Sequence, residues 1–396
     1  MCKSLQSLTT AQLGESALLA QVLKSVPMHV VKEALVATQN NDLRERGLPK
    51  RNVAYFVIGL GLFPDLSYPD TFRTLEQGKE ILLGQEPAKT PVVSSLVEAR
   101  ARLGYESMKA IFDKAVKPVS IKGKSKGTHF AGRLVVAIDG VVFNTPDTEE
   151  NEAYFGRSKS QHGDGAYPQV RGVAFVECGT RVLFDFELSD KETRSEQALG
   201  KRLLLRAQKG HLILADRLYC DGDKWSALIS TGADGVFRVK SDVTLSVLER
   251  YSDDSYRSEL VEGDRSKSNA VFHEVRVIEY RVGKDTKQPP IRLITTLPVE
   301  EASAHDIARL YSERWNWESA AEEFKTVLRT RNGVLRSNSP EMVKQELVGI
   351  FLAHYAIRVF MHEAALSADI DVDRLSFTHS LHVIRRNVGY ADSFSP

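Results

Sequence analysis

The sequence predicts a mixed α/β protein with a helical N-terminal region and a β-rich stretch set into its second half. Three observations carry that prediction. Up to about Val116, apolar residues recur at helical spacing and no strand pattern is visible. From Leu134 to Lys240, apolar runs of strand length alternate with helical segments, the order that builds a mixed sheet. From about Asp242 to Pro298, apolar and charged residues alternate and no helix is evident.

In the first region, Leu18, Leu19, Val22 and Leu23 form one apolar stripe, and Val30, Val31, Ala34 and Leu35 another. Pro27, Pro49, Pro64 and Pro87 separate short helices. The apolar run Val53–Phe63 is too short to span a bilayer and contains two glycines, so it reads as a buried helix. Ser94–Leu103 and Tyr105–Val116 read as two more helices. Lys114, Lys117, Lys122, Lys124, Lys126 and Arg133 then form a basic connector, readable as a solvated linker or as a phosphate-contacting stretch. Leu134–Ile138 is a buried strand ending at Asp139. Val170–Glu177 and Thr180–Leu188 are strands joined by a turn at Cys178-Gly179. A helix over about Glu192–Gln208 follows, then the strand His211–Ala215, which ends at Asp216. A helix over about Asp223–Ser230 leads to the strand Gly235–Lys240. Val271–Val282 and Ile291–Leu297 are strands of the β-rich stretch. Helices over about Ala304–Leu328 and Pro340–Ala368 complete the chain.

At 396 residues the chain is long enough for two or three domains. Its net charge of +1 gives no global basic field, so a nucleic-acid partner has to be argued from local patches. Its three cysteines, Cys2, Cys178 and Cys220, are scattered. That excludes a disulfide framework and a cysteine-rich zinc site and fits a reducing cytoplasm. No apolar stretch follows a basic start at the N-terminus, so no secretory signal is expected.

The chemistry concentrates in three carboxylates. Asp139 and Asp216 each end an apolar strand, where open α/β sheets place ligands. One such aspartate is more often a turn or cap residue; two in one domain are more informative. On the following helix, Tyr311, Arg314, Glu318, Lys325 and Arg329 fall within an arc of roughly 60°. The bland reading of that face is a salt-bridged surface helix, since Arg314 and Glu318 are i,i+4 partners. Glu322 lies near the same face and competes with Glu318. Phosphodiester cleavage needs an activated water and a stabilised leaving oxygen, and two divalent ions held by three carboxylates supply both. An Asp/Asp/Glu set suits magnesium, and flanking cations suit a polyanionic substrate.

These residues resemble the bacterial DDE transposases of the insertion-sequence-four family. That family's Tyr-x2-Arg-x3-Glu-x6-Lys signature is matched by Tyr311, Arg314, Glu318 and Lys325. Leu48-Pro49 with Tyr55 to Phe63, Glu98-Ala99-Arg100, Arg102-Leu103-Gly104, Asp139-Gly140, Pro146-Asp147, Asn151, Phe155-Gly156, Pro168–Arg171, Glu177–Thr180 and Ala215-Asp216-Arg217 are similar too. The likeness runs from about residue 30 to about residue 365. It implies a ribonuclease-H-like catalytic core at 116–241 and 299–335, interrupted by a β-rich insertion at 242–298. An N-terminal helical, DNA-end-binding domain at 1–115 and a C-terminal helical region at 336–396 flank that core. It also implies Mg2+ or Mn2+ held by Asp139, Asp216 and Glu318, with Tyr311, Arg314 and Lys325 on DNA; Arg329, on the same helix stripe, is expected to join them there. The implied partners are double-stranded DNA, both transposon ends and target, and a second copy of the chain, with no membrane. The implied setting is the bacterial cytoplasm, at the nucleoid.

Two departures from the family stand out. A tryptophan in the β insertion stacks a flipped base in a relative, and residues 242–298 contain none. The aromatic candidates here are Tyr251, Tyr256, Phe272 and Tyr280. Val141 also stands where the family often has threonine. Of the neighbouring tryptophans, Trp317 reads as core and Trp315 as closer to the active face. Two rivals remain: a stand-alone nuclease of the same fold, and a catalytically silent DNA-binding protein, against which the intact carboxylates argue.

Overall fold

The computed structural model describes residues 19–42, 48–84, 86–160, 163–281, 290–324 and 333–386. The chain divides into two compact units. One comprises Met1–Val119, Phe143–Val170 and Ala321–Pro396, the other Ser120–Val142 and Arg171–Ala320.

The first unit is mainly helical. Pro27 and Pro49, extended and unable to continue a preceding helix, immediately precede α1 (Met28–Ala37) and α2 (Lys50–Leu62). All residues of α2 from Val53 to Leu62 are buried, as the unbroken apolar run requires. α3 (Tyr68–Leu83) starts at Ser67, whose hydroxyl accepts from the Asp70 N–H. The two helices expected over 94–116 are α4 (Val93–Ala115), kinked at Gly104, where φ is +71° and a side chain would be strained. α10 (Pro340–Ser367) packs against α2 and α4. By length and composition α10 is able to cross a membrane, but 78% of its apolar window is buried within the protein, as in a core helix. The buried Arg100 ties α4 to α10 by donating to Gln345 Oε1 at 2.9 Å and Ser337 Oγ at 3.1 Å. A short helix, α5 (Glu149–Phe155), was not expected from the sequence; Thr148 caps it by accepting from the Asn151 N–H.

The second unit is a twisted sheet with helices. Its strands include β2 (Arg133–Asn144), β4 (Gly163–Glu177), β5 (Val182–Leu188), β6 (His211–Ala215) and β7 (Asp234–Arg238). Short β1 (His129–Phe130) pairs with β2, and β3 (Arg157–Ser160), in the first unit, pairs with the start of β4. The strand order is β5-β4-β2-β6-β7, with β2, β6 and β7 parallel and β4 antiparallel to β5. This mixed α/β arrangement is the catalytic-core class that the sequence predicts. Val135–Ile138 and Leu212–Ala215 are fully buried, because a parallel strand is covered on both faces. α6 (Glu196–Leu204) and α7 (Gly222–Ile229) contribute Leu199, Leu203, Trp225 and Leu228 to a core with Val136, Ile138, Ile213 and Phe237.

The β-rich stretch continues this sheet. β8 (Glu249–Arg250), β9 (Tyr256–Glu262), β10 (Val271–Tyr280) and β11 (Ile291–Thr295) follow in the order β7-β11-β10-β9-β8. Leu260, Val275 and Val277 join the same core. Buried Arg276 donates to the carbonyls of Leu297 and Ala302 at 3.2 and 2.7 Å, and pairs with Asp253. Asp253 in turn accepts from the Ala304 N–H at 2.7 Å. This clamp fixes where α8 (Ala304–Tyr311) begins.

The single helix expected over 304–328 is interrupted. α8 ends at Tyr311, Ser312–Arg314 form a 3-10 turn, α9 covers Trp315–Glu322, and a π-type turn occupies 323–324. Such breaks recur at functional hinges and sites. After residue 340 the last described helix is α11 (Phe377–Arg386).

Candidate active site

Register brings the two aspartates together. Ile138 on β2 pairs with Ala215 on β6 in a parallel ladder, so Asp139 and Asp216 are the next residues on neighbouring strands. Adjacent strands lie about 4.8 Å apart, and parallel strands end on the same side of the sheet. Each carboxylate is oriented by backbone. Asp139 Oδ1 accepts from the Gly140 N–H at 2.8 Å, and Asp216 Oδ1 from the Leu218 N–H at 2.7 Å.

The strand expected to end at Asp139 runs on to Asn144, because Val141 and Phe143 continue its buried face, so Asp139 lies within β2 while Asp216 directly follows β6. The face of α8 and α9 that bears the signature is turned towards these two residues. Tyr311 is buried and its hydroxyl donates to the Ala215 carbonyl at 3.3 Å, one residue before Asp216. Burial pushes its phenol well above the usual range. Tyr311, expected on DNA, is thus covered in this structure, with its phenol on an interior carbonyl. Arg314 bridges two carboxylates. It donates to Asp139 Oδ2 at 2.8 Å and to Glu318 Oε1 at 3.3 Å, with only 11% of its side chain exposed. Asp139, Arg314 and Glu318 are thus linked in one chain of contacts, with Asp216 next to Asp139. Lys325 and Arg329 lie outside the described residues, as does the side chain of Trp317.

The charges of this crevice are poorly balanced. The Asp139 carboxyl is pushed up to about 6, chiefly by burial. The Gly140 N–H and Arg314 oppose the rise, while the like charges of Asp216 and Glu196 add to it. Glu196, at the start of α6, is also raised, by burial first and then by Asp216 despite a bond from Tyr219 and the charge of Arg171. The sequence reading missed Glu196. Its only sequence-level signal was an acidic first turn, which ordinary helices share.

Several expected features find other surroundings. Arg133 is spent on Asp234 and, at 2.6 Å, on Glu301, which removes it from any phosphate-contacting set in this state. Lys117, Lys122, Lys124 and Lys126 are exposed. Of the four aromatic candidates in the β-rich stretch, Phe272 is the exposed one, at 47%, with Arg265 over its ring; Tyr256 is buried and donates to Glu279. Trp315 is 60% exposed beside the Arg314 guanidinium. Cys178 and Cys220 are buried, and neither forms a disulfide among the described residues.

Oxygen donors without nearby thiolate or imidazole suit a hard divalent cation. Among the described residues, no three such side chains are yet gathered closely enough to hold an ion. The Arg314 guanidinium lies between Asp139 and Glu318. The donor chemistry of these carboxylates fits a divalent metal.

Residues 16–113 match the family described as insertion element 4 transposase N-terminal, and residues 130–356 match the transposase DDE domain. The transposase InsG for insertion sequence element IS4 of Escherichia coli K12 is 25% identical over 375 residues, 93% of this chain and 82% of that protein. The putative transposase InsZ of the same strain is 24% identical over 210 residues, 53% of this chain and 67% of that protein. A cryo-EM structure of the piggyBac transposase synaptic complex with hairpin DNA aligns at a TM-score of 0.47 and 10% identity, covering 98% of this chain and 81% of that one. DDE domains use divalent metal ions.

Proposed function

This chain belongs to the IS4 family of DDE transposases, and on that premise we propose that Asp139, Asp216 and Glu318 hold the ions with which it cleaves and joins DNA. The chain is a DNA-cleaving and strand-transferring enzyme. The observation that carries the site assignment is the β2–β6 register, which makes Asp139 and Asp216 neighbours opposite the helix face bearing Arg314 and Glu318.

When bound, magnesium or manganese supplies a Lewis acid and an activated water. The protein's own groups orient and neutralise. Tyr311 holds the Ala215 carbonyl and thereby the backbone that presents Asp216. Arg314 exchanges its two carboxylates for phosphate oxygens, which it is able to grip with two parallel hydrogen bonds. That exchange frees Asp139 and Glu318 at the moment substrate arrives. Lys325 and Arg329 add phosphate contacts on the same stretch. The substrate is double-stranded DNA, first the element's ends and then a target. Residues 1–115 recognise the ends, and two copies of the chain act together on the nucleoid DNA of a bacterial cytoplasm.

The test is magnesium-dependent cleavage and joining of DNA carrying the element's terminal repeats. Asp216→Asn is expected to lower cleavage by more than about a hundredfold, since even outer-shell partners of a metal are worth 10–100-fold. DNA affinity should stay within about threefold, because phosphate contacts do not run through Asp216. Parallel loss of binding and cleavage would assign Asp216 to structure. Cutting without joining of the 3′ end to a second DNA would favour a stand-alone nuclease. For Lys325→Ala, the slope of log affinity against log salt should flatten by about one unit. An unchanged slope in a folded variant removes Lys325 from the DNA surface.

A further inference from the structure

One acidic side chain of the crevice has no part in the assignment above. Glu196 opens α6 and is half-buried. A methyl group on Gly140 would overlap its carboxylate, so the backbone directly after Asp139 must be bare for Glu196 to lie there. Tyr219, fully buried, donates its hydroxyl to Glu196 Oε1 at 2.9 Å. The ring of Tyr219 presses on Gly200 of the same helix, where a methyl group would also overlap it. Both segments carrying the aspartates therefore hold Glu196: β2 through Gly140, within the strand, and the turn after Asp216 through Tyr219.

A glutamate in the first turn of a helix ordinarily turns towards its own N–H groups or solvent. Glu196 instead lies against the residue after Asp139, close enough to both aspartates for like charges to oppose one another. Among the described residues no lysine or arginine forms an ion pair with it, and Arg171 acts only at longer range. Apart from its bond to Tyr219, then, a partly covered carboxylate is directed at two others without an adjacent cation. A divalent ion resolves that arrangement.

We propose that Glu196 is a further carboxylate of the metal centre, steadied by Tyr219 and admitted by the bare backbone of Gly140. This rests on the assignment of Asp139, Asp216 and Glu318 as the metal-holding set.

The test is Mn2+ binding to the full-length protein without DNA, read from the electron paramagnetic resonance of the free ion. Thermal unfolding in chelator is the second readout. Glu196→Gln should weaken Mn2+ binding about tenfold or more. It should also raise the unfolding temperature in chelator, because a repelling charge is gone while the shape is kept. Tyr219→Phe should weaken binding by a smaller factor, and exposed Glu192→Gln should leave it unchanged. A Glu196→Gln protein that binds Mn2+ like the wild type, while Asp216→Asn has lost it, overturns this inference and leaves the three-residue assignment standing. A wild-type chain that takes up no Mn2+, or an Asp216→Asn chain that takes up as much, overturns the assignment itself and this inference with it. If Glu196→Gln does not fold, Glu196→Asp decides, since its shorter carboxylate should bind Mn2+ more weakly and wild-type affinity would overturn the inference.

Discussion

Two clusters in this molecule are made of the same ingredients and end in opposite electrostatic states. In the helical unit, Glu323 accepts from Arg358 Nε at 3.0 Å and from His354 Nε2 at 2.8 Å, and it also pairs with Arg358 Nη2. Burial raises the Glu323 carboxyl, but the His354 bond and the Arg358 charge outweigh it and hold it below the usual range. In the sheet unit, Arg314 divides itself between Asp139 and Glu318, and further like charges stand nearby. There burial wins and Asp139 rises to about 6. One arginine directed at one carboxylate, with a histidine beside it, neutralises the buried charge. One arginine shared among several leaves a standing demand for positive charge, the condition expected where a site is built to bind rather than to stabilise.

The largest expected contrast is in stability. Arg358→Leu leaves a buried carboxylate with only His354 and should cost about 3–5 kcal/mol. Arg314→Leu should cost less than half of that, because the Asp139 carboxyl, already raised to about 6, takes up a proton more readily once the cation is gone. Urea unfolding of both variants in chelator measures the difference, and equal costs would remove the distinction between the two clusters.

The two carboxylates should also respond oppositely to pH. Asp139 has a folded value of about 6 against an ordinary 3.8. Its contribution to stability is therefore present below about 3.8 and lost as pH rises through about 6, a change of about 2–3 kcal/mol. Glu323 is shifted down, so its contribution is present above the ordinary glutamate range and lost on acidification. In chelator between pH 4 and pH 7, Asp139→Asn should be progressively more stable than the wild type as pH rises. A difference that does not vary with pH would show that Asp139 titrates normally.

The smallest expected effect concerns the buried support of the crevice. Tyr311→Phe removes one long hydrogen bond to Ala215 and should cost about 1 kcal/mol. Because that bond steadies the backbone before Asp216, Mn2+ affinity should fall by a few-fold as well. Loss of stability with unchanged affinity would make Tyr311 a packing residue only.

Contiguous sequence was enough for much of this protein. The short apolar run ending at Ala215 reads as a strand and the long apolar stretch of α10 as a helix, the lengths deciding between them. Asp216, Arg314 and Glu318 were legible because each stands after an apolar strand or on a helix face, and Asp139 because it follows an apolar run, although its strand continues to Asn144. α5 was not, since a helix of two turns offers too short a period to read.

What lay beyond reach depends on pairs of residues far apart in the chain. Glu196 comes to Gly140 only because β2 and the start of α6 meet, and no spacing between residues 140 and 196 announces that contact. Tyr311 shares its stripe with Arg314, yet one is covered and the other bridges two acids, because the 3-10 turn between α8 and α9 is set by packing on the sheet. The β-rich stretch was visible as strands, but its joining to β7 through β11 is a matter of long-range pairing. Periodicity is a property of neighbours along the chain, and sequence determines it directly. Register, burial and shared charge are properties of neighbours in space, and only the folded sheet decides them.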